Sequence, residues 1–175
     1  MNKQIQIAQA TLQDQVAIHE LLFQAASWLK SIGSKQWNGF LEGKDNHHTS
    51  EAIARGEVFI CRVNQVPAGM FILWSKKSQW DQILWQEINE PSAFYLHRLA
   101  IDRKFAGQHL SEKMLSWAKV YTRSQDKEVL RLDCLAENIH LNQLYQINEF
   151  QLVGCLKEHD AGEQVADFNL YEWYA

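Results

Sequence analysis

A chain of 175 residues with 46% hydrophobic, 11% aromatic and 22% charged residues and only two prolines has the composition of a folded domain, which excludes disordered and fibrous classes. Seventeen Lys and Arg against 21 Asp and Glu give a net charge of −4 and a pI near 6.0, and no basic stripe is present, so neither nucleic acid nor a membrane surface is an expected partner. The opening MNKQIQIAQATLQDQ lacks a signal-peptide core, and Cys61, Cys134 and Cys155 are too few and too scattered for a disulfide framework, so a reduced, cytoplasmic protein is expected.

No repeat or linker-like run divides the chain, and residues 1–175 read as one domain. KQIQIA alternates like a first strand. Thr11 opens a helix with Asp14 in a capping-box position, and Ala17, Ile18, Leu21, Leu22, Ala25, Trp28, Leu29 and Ile32 follow at helical spacing to Gly33. Thr49 or Ser50 caps a short helix closing at Gly56. GEVFICRVNQVPAGMFILW is a hairpin around Asn64-Gln65. Residues 76–92 are a long connection holding Trp80 and Trp85, and SAFYLHRLAID is the next strand.

From His109 the period becomes helical, with Leu110, Met114, Trp117, Ala118 and Tyr121 in one apolar stripe. EVLRLDCLAE is a strand, and Asn138 caps a helix through Leu141, Leu144 and Tyr145. FQLVGCL and VADFNLYEWYA close the chain as two antiparallel strands. Strand–helix–strand units require parallel pairing and terminal hairpins make the sheet mixed, so the fold class is α/β, with about seven strands, mostly antiparallel, and about four flanking helices.

The strand YLHRLAID, the turn RKFAGQH and the helix after it carry the most chemistry. A small-residue turn at a helix N-terminus collects free backbone N–H groups at the positive end of the helix dipole, which suits phosphate oxygens without any basic side chain. An ordinary βα turn would use the same glycine to relieve a tight bend.

Two stretches carry a resemblance. Leu99-Ala100-Ile101 followed by Ala106-Gly107-Gln108-His109-Leu110-Ser111 resembles the acyl-CoA signature of the GNAT superfamily of N-acetyltransferases, where a strand ending in L-A-V precedes (Q/R)-x-x-G-x-(G/A) at the head of a helix. Downstream, Asn138, Leu141, Leu144-Tyr145 and Glu149-Phe150 resemble that family's N-x-x-A-x-x-L-Y-x-x-x-G-F. Ala106, His109, Ser111 and Glu149 depart from the pattern. A β-carbon at 109 is tolerated if His109 keeps a right-handed helical φ. Arg103 or Lys104 stands near enough in sequence to supply the charge that Ala106 lacks.

The resemblance implies a single GNAT-like N-acetyltransferase domain that uses acetyl-CoA as co-substrate and no metal. It would act by direct attack of a primary amine, belonging to a small molecule or a peptide. Homodimers are common among such relatives. A non-catalytic acyl-CoA-binding, sensing or interaction module is the alternative that the altered glycine motif leaves open.

An alkyl amine with a pKa near ~10.4 is only about one part in a thousand neutral at pH 7, so a base must take its proton. His97 is the expected base: it precedes Leu99 by two residues on the cofactor-side strand, and Leu96-His97-Arg98-Leu99-Ala100-Ile101 looks like the strand on which arylalkylamine N-acetyltransferases carry a helping histidine. The resemblance makes Tyr145 the acid that protonates the leaving thiolate, Asn138 a CoA contact as well as a cap, and a backbone N–H at Leu99 the oxyanion donor. Glu87 and Glu90, in the preceding loop, are the fallback carboxylates for the base; Trp37, Trp80 and Trp85 lie in loops where the family places acceptor walls, Glu87 with them, and acidic residues there favour a cationic amine. Asp45, His47 and His48 do not make a metal site, because adjacent histidines diverge and no fourth ligand is evident. Each cysteine sits in an apolar strand, which disfavours a thiolate nucleophile.

Overall fold

The computed structural model describes residues 2–86 and 91–175. Their contacts gather into two units: the chain up to Leu73 with Arg98–Met114, and Trp74–His97 with Leu115–Ala175.

In the first unit, β1 (Ile5–Gln9) pairs antiparallel with β2 (Val58–Val63), which pairs antiparallel with β3 (Val66–Trp74). Val58–Cys61 and Ala68–Leu73 are buried throughout, so both strands read as continuous apolar runs. Asn64 (φ 49°) and Gln65 (φ 69°) are both left-handed, the two-residue turn whose twist matches a hairpin. Thr11 and Asp14 form the expected capping box, but around a 3₁₀ turn, and α1 (Gln15–Ser31) begins only at Gln15. It buries Ile18, Leu21, Leu22 and Ala26 and stops at Gly33, where Ser34 N–H donates back to Leu29 C=O at 2.9 Å. Trp28, in the apolar spacing of this helix, lies at the exposed surface with the Arg103 guanidinium 4.3 Å from its ring centre.

Two short helices follow, α2 (Asn38–Leu41) and α3 (Thr49–Ala54); His48, not Thr49 or Ser50, is the N-cap of the second. The last part of β4 (Ala93–Ile101) and the first turn of α5 (Leu110–Ser124) complete this unit. A β-carbon on Gly69 would stand 2.9 Å from the Ala100 carbonyl oxygen and 3.0 Å from Met114 Sδ, so only glycine lets β3 lie this close to β4 and α5.

The second unit holds α4 (Gln79–Leu84), the first part of β4, β5 (Val129–Leu135), α6 (Ile139–Ile147), β6 (Gln151–Asp160) and β7 (Val165–Tyr174). β4 and β5 run parallel, while β7 is antiparallel to both β5 and β6. Arg131 is fully buried on β5, where Nε donates to Glu172 Oε1 at 2.9 Å and Nη1 to the Tyr95 hydroxyl at 3.1 Å. These bonds offset the desolvation of a buried ion pair.

The seven strands form one mixed sheet in the order β1-β2-β3-β4-β5-β7-β6. The α/β expectation holds, with two more helices than expected: α2 and α4, at four and six residues, are too short to show a helical period in sequence. Among the described residues no helix is long and apolar enough to cross a membrane.

Candidate active site

In the first unit, Asp102 Oδ1 accepts from Lys104 N–H at 2.9 Å and starts a 3₁₀ turn over Arg103–Phe105. Ala106 is extended, Gly107 turns left-handed (φ 76°) and Leu110 opens α5. The N–H groups of Leu110, Ser111 and Glu112 donate to no acceptor among the described residues, as expected of a first helical turn. Nothing lies within 4 Å of where a Gly107 β-carbon would be. Free donors beside open space at the positive end of a fifteen-residue helix fit an anionic phosphate group.

One expectation fails at this turn. His109 does not take a right-handed φ but sits at 56°, a conformation that costs a non-glycine residue roughly 1 kcal/mol. Its ring compensates, with Nδ1 2.9 Å from Glu112 Oε1 one turn on. The departure from glycine is therefore absorbed locally, with the side chain out in solvent. Arg98, at the start of this unit's share of β4, is also left-handed (φ 56°). Strict alternation holds only along uninterrupted extended backbone, so it does not carry across Arg98, and spacing alone does not set His97 and Leu99 on one face. The Arg98 guanidinium lies 5.3 Å from the Trp37 ring centre and 5.4 Å from that of Phe40, and its Nε donates to His47 Nδ1 at 3.1 Å. Asp45 accepts from Thr49 N–H, so these residues support the loop between α1 and α3.

In the second unit, His97 is buried on β4, with Nε2 2.9 Å from Asp81 Oδ2. That oxygen also accepts from Ser78 N–H (3.0 Å) and Ser78 Oγ–H (2.7 Å). With a carboxylate as partner, Nε2 is the nitrogen that carries the hydrogen. The Trp74 ring packs on the imidazole, centres 4.9 Å apart. Asp133 on β5 completes the group: donor atoms of Asp81, His97 and Asp133 all lie within 4.8 Å of one another. Trp80 Nε1–H donates to Asp133 Oδ1 at 3.2 Å. Burial pushes the Asp133 carboxyl up to about 6, against the opposing pull of His97 and the Trp80 hydrogen bond. A spacing of this kind would admit a cation; in the structure Asp81 Oδ2 meets Ser78 N–H, Ser78 Oγ–H and His97 Nε2.

Neither aspartate was expected from the sequence, although both left a trace there. Ser78-Gln79-Trp80-Asp81 is a capping-box pattern inside the presumed loop, and Asp133 is, with Arg131, one of two charges in an otherwise apolar run.

Tyr145 is buried on α6, its ring 6.0 Å from Phe150 and 5.6 Å from Tyr171. Burial, reinforced by Cys134, Asp133 and Tyr171, pushes its hydroxyl well above the ordinary phenol range, so it stays a proton carrier at neutral pH. The N-terminal half of α6 is held in place: Asn138 Oδ1 caps Leu141 N–H at 3.0 Å, and Asn142 Oδ1 accepts from the Tyr171 hydroxyl (2.6 Å) and Asn169 (2.7 Å).

Of the expected wall residues, Trp37 belongs to the first unit and Trp80 stands at the Asp133 carboxylate. Trp85 is fully buried, packed on Tyr95 with the Arg131 guanidinium 4.6 Å from its ring centre, and serves the core. Glu87 and Glu90 lie outside the described residues. Burial pushes the Cys61 thiol up to about 11 and Cys134 up to about 12, far from thiolate chemistry at neutral pH, whereas Cys155 is exposed rather than set in an apolar strand.

Comparison with known proteins follows the same lines. The family model described as the acetyltransferase (GNAT) family matches residues 16–150. The uncharacterized N-acetyltransferase YesJ of Bacillus subtilis (strain 168) is 36% identical over 145 residues, covering 83% of this chain and 81% of that protein. A GNAT-family acetyltransferase from Listeria monocytogenes has a crystal structure that superposes with a TM-score of 0.80 at 32% identity, over 99% of this chain and all of that one. The PaiA N-acetyltransferase of Thermoplasma acidophilum, solved with coenzyme A, shares the fold (TM-score 0.72, 14% identity, 98% and 99% of the two chains).

Proposed function

The chain belongs to the GNAT acetyltransferase family, and from that premise we propose that it moves an acetyl group from acetyl-CoA to a primary amine of a small molecule or peptide by direct attack. The observation that carries this reading is the buried His97–Asp81 hydrogen bond, on the strand that leads into the Gly107 turn. A buried imidazole held by a carboxylate is prepared to take up a proton and to be stabilised as imidazolium.

Acetyl-CoA supplies the thioester carbonyl that the amine attacks. The N–H groups of Leu110, Ser111 and Glu112 are suited to its phosphates, and the exposed Arg103 and Lys104 to the remaining charge. As the amine nitrogen bonds to the carbonyl carbon, its proton passes to His97. The carbon–sulfur bond then breaks, the thiolate takes the Tyr145 proton, and the tyrosine recovers one from solvent. The high thiol pKa values of Cys61 and Cys134 favour direct transfer over an acyl-cysteine. Free cysteines, one of them exposed, suit a reducing cytoplasm.

Tyr145→Phe tests the reading. The variant should lose roughly 10²-fold or more in kcat while acetyl-CoA affinity, measured by calorimetry, stays within about twofold. Unchanged turnover would remove Tyr145 from the mechanism.

A further inference from the structure

We propose that Asp133 selects the acceptor: its half-buried carboxylate, fixed by the Trp80 indole, binds the amine as an alkylammonium cation, whose proton then passes to His97. The inference rests on the acetyl-transfer reading and extends it to the charge state of the substrate and to a residue on β5.

Four observations support it. Asp81 and His97 are buried, at 1% and 7% exposure, and Asp133 alone of the three is partly exposed, so an incoming group meets it first. One Asp133 oxygen is held by Trp80 Nε1–H, and the other accepts no hydrogen bond from the described residues. No lysine or arginine among them pairs with this carboxylate, although the cluster holds two carboxylates against one imidazole. An anion of this kind, sunk in a protein without a fixed countercharge, is a burden to folding that a cationic ligand would relieve.

The walls match the same ligand. Trp80 packs against His159 (5.1 Å between ring centres) and edge-on to Phe168 (4.9 Å), so its indole is held in place beside the carboxylate. A rigid tryptophan next to a carboxylate is the combination that recognises an alkylammonium group, through ring and charge together. The groups facing Asp133 are His97 from β4, Asp81 and Trp80 from α4, Tyr145 from α6 and its own neighbour Cys134. Of these only His97 can carry positive charge. Two protons leave the nitrogen in turn: R–NH3⁺ gives the first to His97, which releases it to solvent and leaves R–NH2 with its lone pair, and the second passes to the again neutral His97 as the nitrogen bonds to the carbonyl carbon, while Asp133 remains a carboxylate throughout.

The test uses three probes of one shape: n-butylamine, which is cationic at pH 7.5, n-butyltrimethylammonium, which has no proton to give, and 1-butanol, which is neutral. Binding is read from the indole N–H resonance of Trp80 in the full chain, assigned by its absence in Trp80→Phe. Both cations should shift that resonance and 1-butanol should not. Asp133→Asn keeps the Trp80 hydrogen bond and should weaken cation binding at least tenfold while its melting temperature does not fall. Binding of the quaternary cation should also be lost as pH drops below about 6, where Asp133 takes up a proton. Equal binding of 1-butanol, or cation affinity within twofold in a folded Asp133→Asn, overturns the proposal. Release of free CoA thiol on adding acetyl-CoA and n-butylamine is followed separately. Acetylation with an unchanged KM in Asp133→Asn sinks the subsite and spares the transfer reading, whereas cation binding without acetylation does the reverse.

Discussion

The turn from Asp102 to Leu110 and the cluster of Asp81, His97 and Asp133 both deal with charge, by opposite means. The turn is exposed and works with backbone N–H groups, which are fixed by the helix that follows and are indifferent to most side chains. The cluster is sunk in the protein and works with titratable side chains, where every atom matters and each neighbour moves the protonation equilibrium. Substitution should therefore be graded at the turn and steep at the cluster. This contrast explains how a motif can depart at Ala106, His109 and Ser111 and still leave the helix start intact.

The sharpest way to break the contrast is His97→Gln. It should lower kcat by roughly 10²- to 10⁴-fold in steady-state assays while leaving acetyl-CoA affinity near wild type. A loss of cofactor affinity instead would mean that the two regions are not separable in function.

Next in size is the effect of pH on stability through Asp133. Burial raises this carboxyl to about 6, so its ionisation opposes folding. The penalty is absent below about pH 4, where both folded and unfolded forms are protonated, grows between about 4 and 6, and is full above. Asp133→Asn should accordingly be more stable than the parent by on the order of 2–3 kcal/mol at pH 7.5 and equal to it near pH 4, as read by urea denaturation at a series of pH values.

Smallest should be Gly107→Ala. Its φ of 76° penalises any β-carbon while nothing within 4 Å obstructs one, so only backbone strain of about 1 kcal/mol is lost. Chemical denaturation checks the figure; a loss of several kcal/mol would show that the turn, too, is sterically closed.

The periodic parts of this molecule were readable in advance. The stripe on α5, the hairpin around Asn64-Gln65 and the Asn138 cap follow from local rules that tertiary contacts reinforce. The aspartates of the cluster were not, for two different physical reasons. Asp81 sits on a helix of six residues, shorter than two periods, whose capping box was the only local signal. Asp133 is one charge in a buried strand, and nothing in its neighbourhood tells a partner across the sheet, as Arg131 has in Glu172, from a member of a reactive cluster. Trp85 shows the converse error. Its loop position suggested a surface role, yet a large ring next to a short helix is drawn inward by the area it can bury.

The strand order has a consequence in time. β7 is made after every other strand of its unit, yet it lies between β5 and β6 and pairs with both along nearly its whole length. A nascent chain that has emerged only as far as residue 164 therefore holds a β5 with one bare edge and a β6 whose β7 partner is missing. Until the last ten residues of the strand emerge, the nascent chain carries an unpaired, apolar sheet margin of the kind that recruits chaperones or neighbouring chains. Delayed emergence of β7 should be more hazardous to this protein than delayed emergence of any earlier strand of that unit.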